Sequence, residues 1–376
     1  SSACVPSRPG VLPERSSEVS ERLWCASAEA STMQADGGTA LNSSPIRRSA
    51  PLPRSATPSR SISNAELGQR VETSDEWIRS RTGIAARRVV NSDESLAELS
   101  GLAAERALEM AGWSADSLDL ILLATSTPDD LFGSAPRLQA RLGATRAVAF
   151  DLTAACSGFL FAVVTAAQYL RSGAMRRILV VGADQLSRWV NWDDRRSCVL
   201  FGDAAGAVLL EASENGQDDL DGFLLRSDGS RGEVLQLPQV NQRQPLVGDA
   251  SHQCGGFSPI QMNGQEVYKF AVREVPAILE KLLAQGGVAA DCLDWLLLHQ
   301  ANQRILDAVA DRFSVPSEKV LSNLAHYGNT SAATIPLMLD EAVRDGRIQP
   351  GHRIASSGFG AGLSWGAALF RWSGPA

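Results

Sequence analysis

The chain reads as an α/β protein built from two similar halves, and three observations predict this. Two distant segments match: Gly112 to Leu123 is G-W-S-A-D-S-L-D-L-I-L-L and Gly287 to Leu298 is G-V-A-A-D-C-L-D-W-L-L-L, an offset of 287 − 112 = 175. Each follows a helical pattern, Ala103 to Met110 and Val275 to Leu283, and ends in a continuous apolar run typical of a buried strand. Further on, Arg171-Ser172-Gly173 is echoed by Arg344-Asp345-Gly346, an offset of 344 − 171 = 173. Third, the apolar run Ala147-Val148-Ala149-Phe150 leads through a tight turn into an amphipathic stretch from Leu160 to Leu170, a strand–turn–helix unit.

Along the chain, Ser1 to about Arg60 comes first. It is rich in Ser, Pro and Arg and shows neither helical nor strand periodicity, so residues 1–60 read as a disordered or non-native N-terminal extension. Ile46 to Pro58 carries prolines and arginines that suit a buried central strand poorly. A processed targeting peptide, a natural extension and a translated frame shift all remain open. Glu14, Glu18, Glu21, Glu29 and Asp36 weigh against a transit peptide, since such peptides are acid-poor. Deleting Ser1 to Ala40 is expected to leave activity unchanged. Residues 61–220 then form the half that carries a candidate nucleophile, and 221–376 the half that carries its partners.

The nucleophile candidate is Cys156, in Ala154-Ala155-Cys156-Ser157-Gly158-Phe159, where the helix begins. Free N–H groups and partial positive charge at a helix start favour a thiolate, the nucleophilic form of cysteine. A buried structural cysteine is the competing reading. The repeat bears on the choice. At the 173 offset Cys156 falls on Asn329 (156 + 173 = 329), and at the 175 offset Ala124 falls on His299 (124 + 175 = 299). Both halves thus place chemistry-bearing residues at strand ends and helix starts, where doubly wound sheets bind ligands.

These segments resemble 3-oxoacyl-[acyl-carrier-protein] synthase III, a family of the thiolase-like superfamily. The motifs are D-L-T-A-A-C-S-G-F (Asp151 to Phe159), H-Q-A-N-Q-R-I (His299 to Ile305) and Y-G-N-T-S-A-A (Tyr327 to Ala333). Thr73-Ser74-Asp75-Glu76-Trp77-Ile78, Arg81-Thr82-Gly83-Ile84 and the glycine-rich run Gly358 to Gly366 also match, so the resemblance extends from about Ser61 to Trp372. Condensing enzymes with a Cys-His-His set need a histidine at the Asn329 position, which this chain lacks. The glycine-rich run leads into an apolar strand, Ala367 to Trp372, without a full G-x-G-x-x-G pattern, and so is not read as a dinucleotide loop.

The resemblance implies a thiolase-like fold: two α/β halves with five-stranded mixed sheets in αβαβα layers around buried central helices. It implies condensation of acetyl-CoA with a malonyl-carrier protein through an acyl-cysteine at Cys156. His299 and Asn329 would be neutral donors to the enolate oxygen left by decarboxylation, and such donors contribute roughly 3–4 kcal/mol each in other enzymes. The backbone N–H groups of Cys156 and Ala361 would hold the tetrahedral oxyanion. Thr73, Trp77, Arg81 and Arg195 match positions that bind CoA, and Trp77 is expected to stack on its adenine. Lys269, Arg304 and Arg312 match contacts to the acidic acyl carrier protein. Asp311 stands where the family often has a second lysine beside the Arg312 position. Phe132 matches a residue that crosses a homodimer interface to line the partner's acyl pocket. No permanent cofactor and no metal site is implied, and acetyl-CoA enters as substrate. The open alternatives are a condensing enzyme using a longer acyl-CoA or malonyl-CoA, and a non-catalytic homologue with a damaged first strand.

Composition fits this reading. The net charge of −7 argues against a general nucleic-acid binder. No apolar stretch is long enough to span a membrane. Six widely spaced cysteines, without a C-x-x-C pair, suggest neither a zinc site nor a disulfide framework. The bacterial cytoplasm is the expected location, with the plastid stroma as the alternative if the N-terminal segment is a transit peptide. Only three of the 35 cationic residues are lysines, Lys269, Lys281 and Lys319, so contacts to phosphates or an acidic partner must rely largely on arginine. Among residues outside the motifs, His326 reads as peripheral to the site or surface, and His252 and His352 as having no special task. Cys198 and Cys292 read as packing residues, and Asp203 as a turn or helix-start residue.

Overall fold

The computed structural model describes the backbone of Ser20–Trp24, residues 57–58, 60–213 and 218–374. The expected weak strand material at residues 46–56 lies outside the described residues. The described residues begin with strand β1 (Ser20–Trp24), then β2 (Arg60–Ser63), short helix α1 (Asn64–Leu67), α2 (Asp75–Thr82) and β3 (Ala86–Val89), which pairs antiparallel with β2. The first half continues with α3 (Leu96–Ala111), β4 (Leu120–Ala124), α4 (Ala135–Leu142) and β5 (Val148–Leu152). It closes with α5 (Gly158–Arg171), β6 (Arg177–Gln185) and β7 (Asp203–Ser213). The second half begins with β8 (Gly222–Ser227), the short pair β9 (Leu235–Gln236) and β12 (Gln261–Met262), and an exposed hairpin, β10 (Gln239–Pro245) with β11 (Ser251–Phe257). It ends with α6 (Gly264–Gly286), β13 (Trp295–Leu298), α7 (Gln303–Phe313), α8 (Leu324–Tyr327), α9 (Thr334–Arg344), β14 (Arg353–Gly360) and β15 (Ser364–Arg371).

The two sheets repeat one plan. The first runs β1-β7-β6-β4-β5 and the second β8-β15-β14-β13. In each, one side pairs parallel (β6-β4-β5 and β14-β13) and the other antiparallel (β1-β7-β6 and β8-β15-β14). The second sheet fills its fifth position with an isolated parallel bridge, Leu296 to Val320, where Leu321 N–H donates to Leu296 O at 3.0 Å.

Five layers follow from which faces are apolar. A central core packs α5 (Leu160, Val163, Leu170) and α9 (Leu339, Val343) between the inner faces of both sheets (Leu122, Val180, Leu297, Ile354). One outer layer sets α3 and α4 (Leu96, Leu108, Leu138) on Ile121, Leu123 and Val181. The other sets α6 and α7 (Leu279, Leu282, Leu306) on Leu296, Leu298 and Leu369. A strand apolar on both faces reads as a continuous run, which is why β4 and β13 stood out in the sequence.

Three expectations change. First, the segment read as lacking periodicity supplies β1, which pairs antiparallel with the β7 edge from Ser20↔Ser213 to Trp24↔Leu209. Main-chain pairing needs an extended backbone, not an alternating pattern. Second, the two sites align at an offset of 176, not 173. The three-residue 3-10 turns Ala155–Ser157 and Ser331–Ala333 correspond, and both begin in the left-handed region, φ 48° at Ala155 and 53° at Ser331. Cys156 therefore corresponds to Ala332, and Asn329 to Thr153. The 173 offset arises because α9 has 11 residues where α5 has 14. Third, Asp203 opens β7 and does not start a helix.

Among the described residues, no helix is long and apolar enough to cross a membrane, and no three metal-ligating side chains cluster.

Candidate active site

Cys156 sits in the turn between β5 and α5, buried, with Ser331 Oγ 3.3 Å from its Sγ. Gly360, at the end of β14, packs against it: a Cβ there would stand 2.6 Å from Cys156 N. Only glycine lets that strand approach so closely. Burial pushes the Cys156 thiol up to about 12, more than the hydrogen bonds from Ser331 and its own N–H lower it. The placement at the helix start is as expected, since the turn Ala155–Ser157 runs directly into α5. Burial acts against the charged form, and the hydrogen bonds at the entering turn act for it.

His299 follows β13, and its N–H donates to Ser357 O at 2.8 Å. Its ring is buried and meets Phe359 edge-on at 5.2 Å. Burial lowers its pKa to about 3, so the imidazole is neutral. Asn329 is pinned by its main chain: its N–H donates to Leu200 O at 2.8 Å, and its carbonyl accepts from Gly202 N at 3.0 Å. Cys156, His299 and Asn329 line one cavity of about 110 Å³, together with Phe359 and Gly360.

A second cavity, of about 760 Å³, also reaches Cys156 and includes Phe132, Thr153, Ser331 and Ala361. Phe132 and Leu131 stand at its mouth, 97% and 83% exposed.

At the outer end, Trp77 on α2 is flanked by two guanidinium groups, Arg81 at 4.9 Å and Arg195 at 5.3 Å from its ring centre. Arg195 is fixed by donating to Glu72 O at 2.9 Å, one residue from Thr73, whose hydroxyl is buried without a partner. Asn302 of the H-Q-A-N segment caps α7 through Arg304 N and donates to Arg81 O at 3.1 Å, tying this outer group to the His299 loop. Of the three cations expected to meet a carrier protein, Lys269 is paired with Glu266 and Arg312 with Glu280. Arg304 lies over the Tyr268 ring at 5.3 Å and, among the described residues, has no acidic partner.

Sequence reasoning missed several residues. Ser331 touches both Asn329 and Cys156. Asp184 is a fully buried carboxylate at the end of β6. A lone acid closing an apolar strand was the available signal. Buried Arg87 donates to Ile62 O, Asn64 Oδ1 and Val199 O, bracing the loop that holds Asn329. His352 has a structural task after all, accepting at Nδ1 from Trp295 Nε1 and Gln349 N. Cys198 is buried as expected, but Cys292 is exposed because its turn leads into β13 from the surface.

A duplicated five-layer fold whose halves meet over a buried cysteine, a histidine and an asparagine is that of the thiolase-like condensing enzymes. Residues 150–229 match the family model described as 3-oxoacyl-[acyl-carrier-protein (ACP)] synthase III, and residues 283–372 match its C-terminal model. The chain is similar to proteins named beta-ketoacyl-[acyl-carrier-protein] synthase III. It is 75% identical to that of Prochlorococcus marinus (strain MIT 9313) over 85% of this chain and 95% of the relative. It is 73% identical to that of Synechococcus sp. (strain WH7803) over the same shares. Among solved structures it is similar to 3-oxoacyl-[acyl-carrier-protein] synthase III from Aquifex aeolicus VF5, with TM-score 0.77 and 39% identity over 84% of this chain and 97% of that one. This chain belongs to the 3-oxoacyl-[acyl-carrier-protein] synthase III family. It is an acyl-transferring condensing enzyme.

Proposed function

We propose that this chain condenses acetyl-CoA with malonyl-acyl carrier protein, giving acetoacetyl-carrier protein, CO2 and CoA, as the initiating step of fatty acid synthesis. The observation that carries the assignment of roles is the shared cavity of Cys156, His299 and Asn329. Cys156 Sγ attacks the acetyl thioester, and CoA leaves. Malonyl-carrier protein then loses CO2, and the enolate oxygen is held by His299 Nε2–H and Asn329 Nδ2. Neutral donors are suited to this task, and His299 is kept neutral by burial. The enolate carbon attacks the acyl-cysteine, the oxyanion rests on the N–H groups of Cys156 and Ala361, and collapse frees the sulfur. Binding supplies the rest of the barrier reduction by orienting the two thioesters.

Acetyl-CoA is a substrate in this reading, bound at Thr73, Trp77, Arg81 and Arg195, with no resident cofactor. The carrier protein approaches over Lys269, Arg304 and Arg312. The exposed Phe132 and Leu131 support a homodimer in which Phe132 enters the partner's acyl cavity, because apolar side chains so exposed usually mark a contact surface. We place the halves at 61–220 and 221–376. The bacterial relatives support a place in the bacterial cytoplasm.

An acyl-CoA series from two carbons upward, with intact-mass detection of acyl-Cys156 and of the condensed product, tests the reading. Acetyl transfer to the wild type and none to Cys156→Ala is expected. Acetyl mass on the folded Cys156→Ala protein refutes the nucleophile, and preference for long chains refutes the substrate.

A further inference from the structure

His299 and Asn329 lie on separate loops, and one chain of hydrogen bonds joins those loops behind the reaction cavity. Gln300, next to His299 and fully buried, accepts at Oε1 from Asn323 N at 2.8 Å and from Ser322 Oγ at 3.2 Å. Asn323 caps α8, and its Nδ2 donates to Glu341 Oε2 on α9 at 2.9 Å. Tyr327 closes α8, and its hydroxyl donates to the other oxygen of the same carboxylate, Glu341 Oε1. Glu341 therefore grips both ends of α8. A helix of four residues does not hold itself in water, so its position is set from outside. Ala325 O accepts from Ala85 N at 2.8 Å, which fixes the middle of the turn and neither end. Gly328 and Asn329 follow at once. Gly328 is in the left-handed region at φ 69°, and a Cβ there would stand 2.7 Å from Leu200 O, the carbonyl that takes the Asn329 N–H. Such packing leaves little slack between Tyr327 and Asn329. Gln300, Asn323, Tyr327 and Glu341 all lie outside the lining of the cavity that holds Cys156, His299 and Asn329.

We propose that Glu341 is a positioning residue for the malonyl step. By holding both ends of α8 it sets Asn329 against His299, while Gln300 ties the same turn to the His299 loop. Glu341 itself touches no reacting atom. The inference rests on the functional reading given above, in which these two side chains share the enolate oxygen. Two donors aimed at one oxygen serve it only at a fixed spacing, and a displacement of about 1 Å can lower a rate on the order of a hundredfold. A carboxylate suits the task because it has an acceptor oxygen for each end of α8, and hydrogen bonds to an ionised acceptor are the stronger kind. On the same helix Arg344 pairs with Asp340 at 2.8 Å, not with Glu341. Cys156 is held differently, by its own turn and by the close approach of Gly360. Loss of the grip should thus divide the two half-reactions.

The test uses the full chain and two readouts: acetyl uptake on Cys156 by intact mass, and CO2 release from malonyl-carrier protein, resolved into kcat and KM. Glu341→Ala removes both contacts and Tyr327→Phe removes one. Glu341→Gln keeps both, since its oxygen can accept from Asn323 and its NH2 can donate to Tyr327 Oη. Glu341→Ala is expected to lower kcat for CO2 release by roughly ten- to a hundredfold, with KM and acetyl uptake changed by no more than about threefold. Tyr327→Phe should show a smaller loss of the same kind, and Glu341→Gln should recover most of it. Equal losses in both half-reactions that follow a fall in Tm would mean support of the fold alone, and overturn the proposal. So would unchanged rates, a rise in KM alone, or a Glu341→Gln variant as slow as Glu341→Ala. Should Glu341→Ala fail to fold, Tyr327→Phe decides alone, and an unchanged kcat for CO2 release overturns the proposal. Crystal structures of the wild type and the folded variants give an independent reading: the separation of Asn329 Nδ2 from His299 Nε2 should change on the loss of the grip. A wild type that releases no CO2, with that separation changed in the variants, would keep the positioning role and sink the functional reading. An unchanged separation overturns the positioning role.

Discussion

Asn329 Oδ1 accepts the backbone N–H of Ser331 at 2.9 Å, so its amide presents Nδ2 to the cavity shared with His299. The orientation is fixed by main chain on both sides, since Asn329 itself is held between Leu200 and Gly202. The donor is therefore set in place before any substrate arrives.

Asn329→Asp should keep the Ser331 contact and put an anion where the enolate oxygen forms. Release of CO2 from malonyl-carrier protein should fall by roughly 10²–10³, the cost of one preorganised donor. Acetyl uptake on Cys156 should persist, and the same split is expected for Asn329→Ala and His299→Ala. A folded variant that takes no acetyl group would contradict this division of labour.

His299 should also leave a mark on acid stability. Its folded pKa, about 3, lies below the ordinary value of 6.5, so between these the unfolded chain binds a proton that the folded one refuses. Its contribution is whole above pH 6.5 and is lost as pH falls toward 3. The slope from this one group is on the order of 1.4 kcal/mol per pH unit. Urea unfolding from pH 6.5 to 4 should show a shallower decline for His299→Gln than for the wild type. Parallel declines would mean the ring is protonated in the folded state.

Arg304→Glu should raise the apparent KM for malonyl-carrier protein and spare acetyl transfer from CoA. Lys269 and Arg312 already face their own acids, which leaves Arg304 the least neutralised of the three. Reversing its charge turns attraction into repulsion and mainly slows encounter. The defect should shrink with added salt, because exposed charges are screened over about 8–10 Å. An equal, salt-insensitive loss in both half-reactions would assign Arg304 to the CoA phosphates.

Deleting Ser1 to Ala40 removes β1 and bares the β7 edge along Leu209 to Ser213. Activity is still expected to be unchanged, with a lower Tm and greater self-association. Light scattering and thermal unfolding of the truncated protein check this, and an unaltered Tm would show that the edge needs no cover.

The repeat and the motifs made the two halves, Cys156, His299 and Asn329 legible, because buried parallel strands and tight turns leave strong local patterns. What stayed hidden depends on packing across the halves. Ser331 looked like one small residue in a turn, and Asp184 like the end of a strand. Their contacts are long-range: Ser331 reaches Cys156 across 175 positions of sequence, and Asp184 takes the N–H of the neighbouring Ala332 across 148. The helix start at Cys156 could be read along the chain, whereas the burial around its sulfur could not. The 173 offset misled because a three-residue shortening of α9 is silent until both helices are seen.

β1 also bears on how this fold can change. It joins the sheet through main-chain groups, so the seam asks for an extended ribbon and is nearly blind to spelling. β1 is therefore an exchangeable cover strip. New codons there can be tried, kept or discarded while the reaction chamber, built from residues after 120, is left as it was.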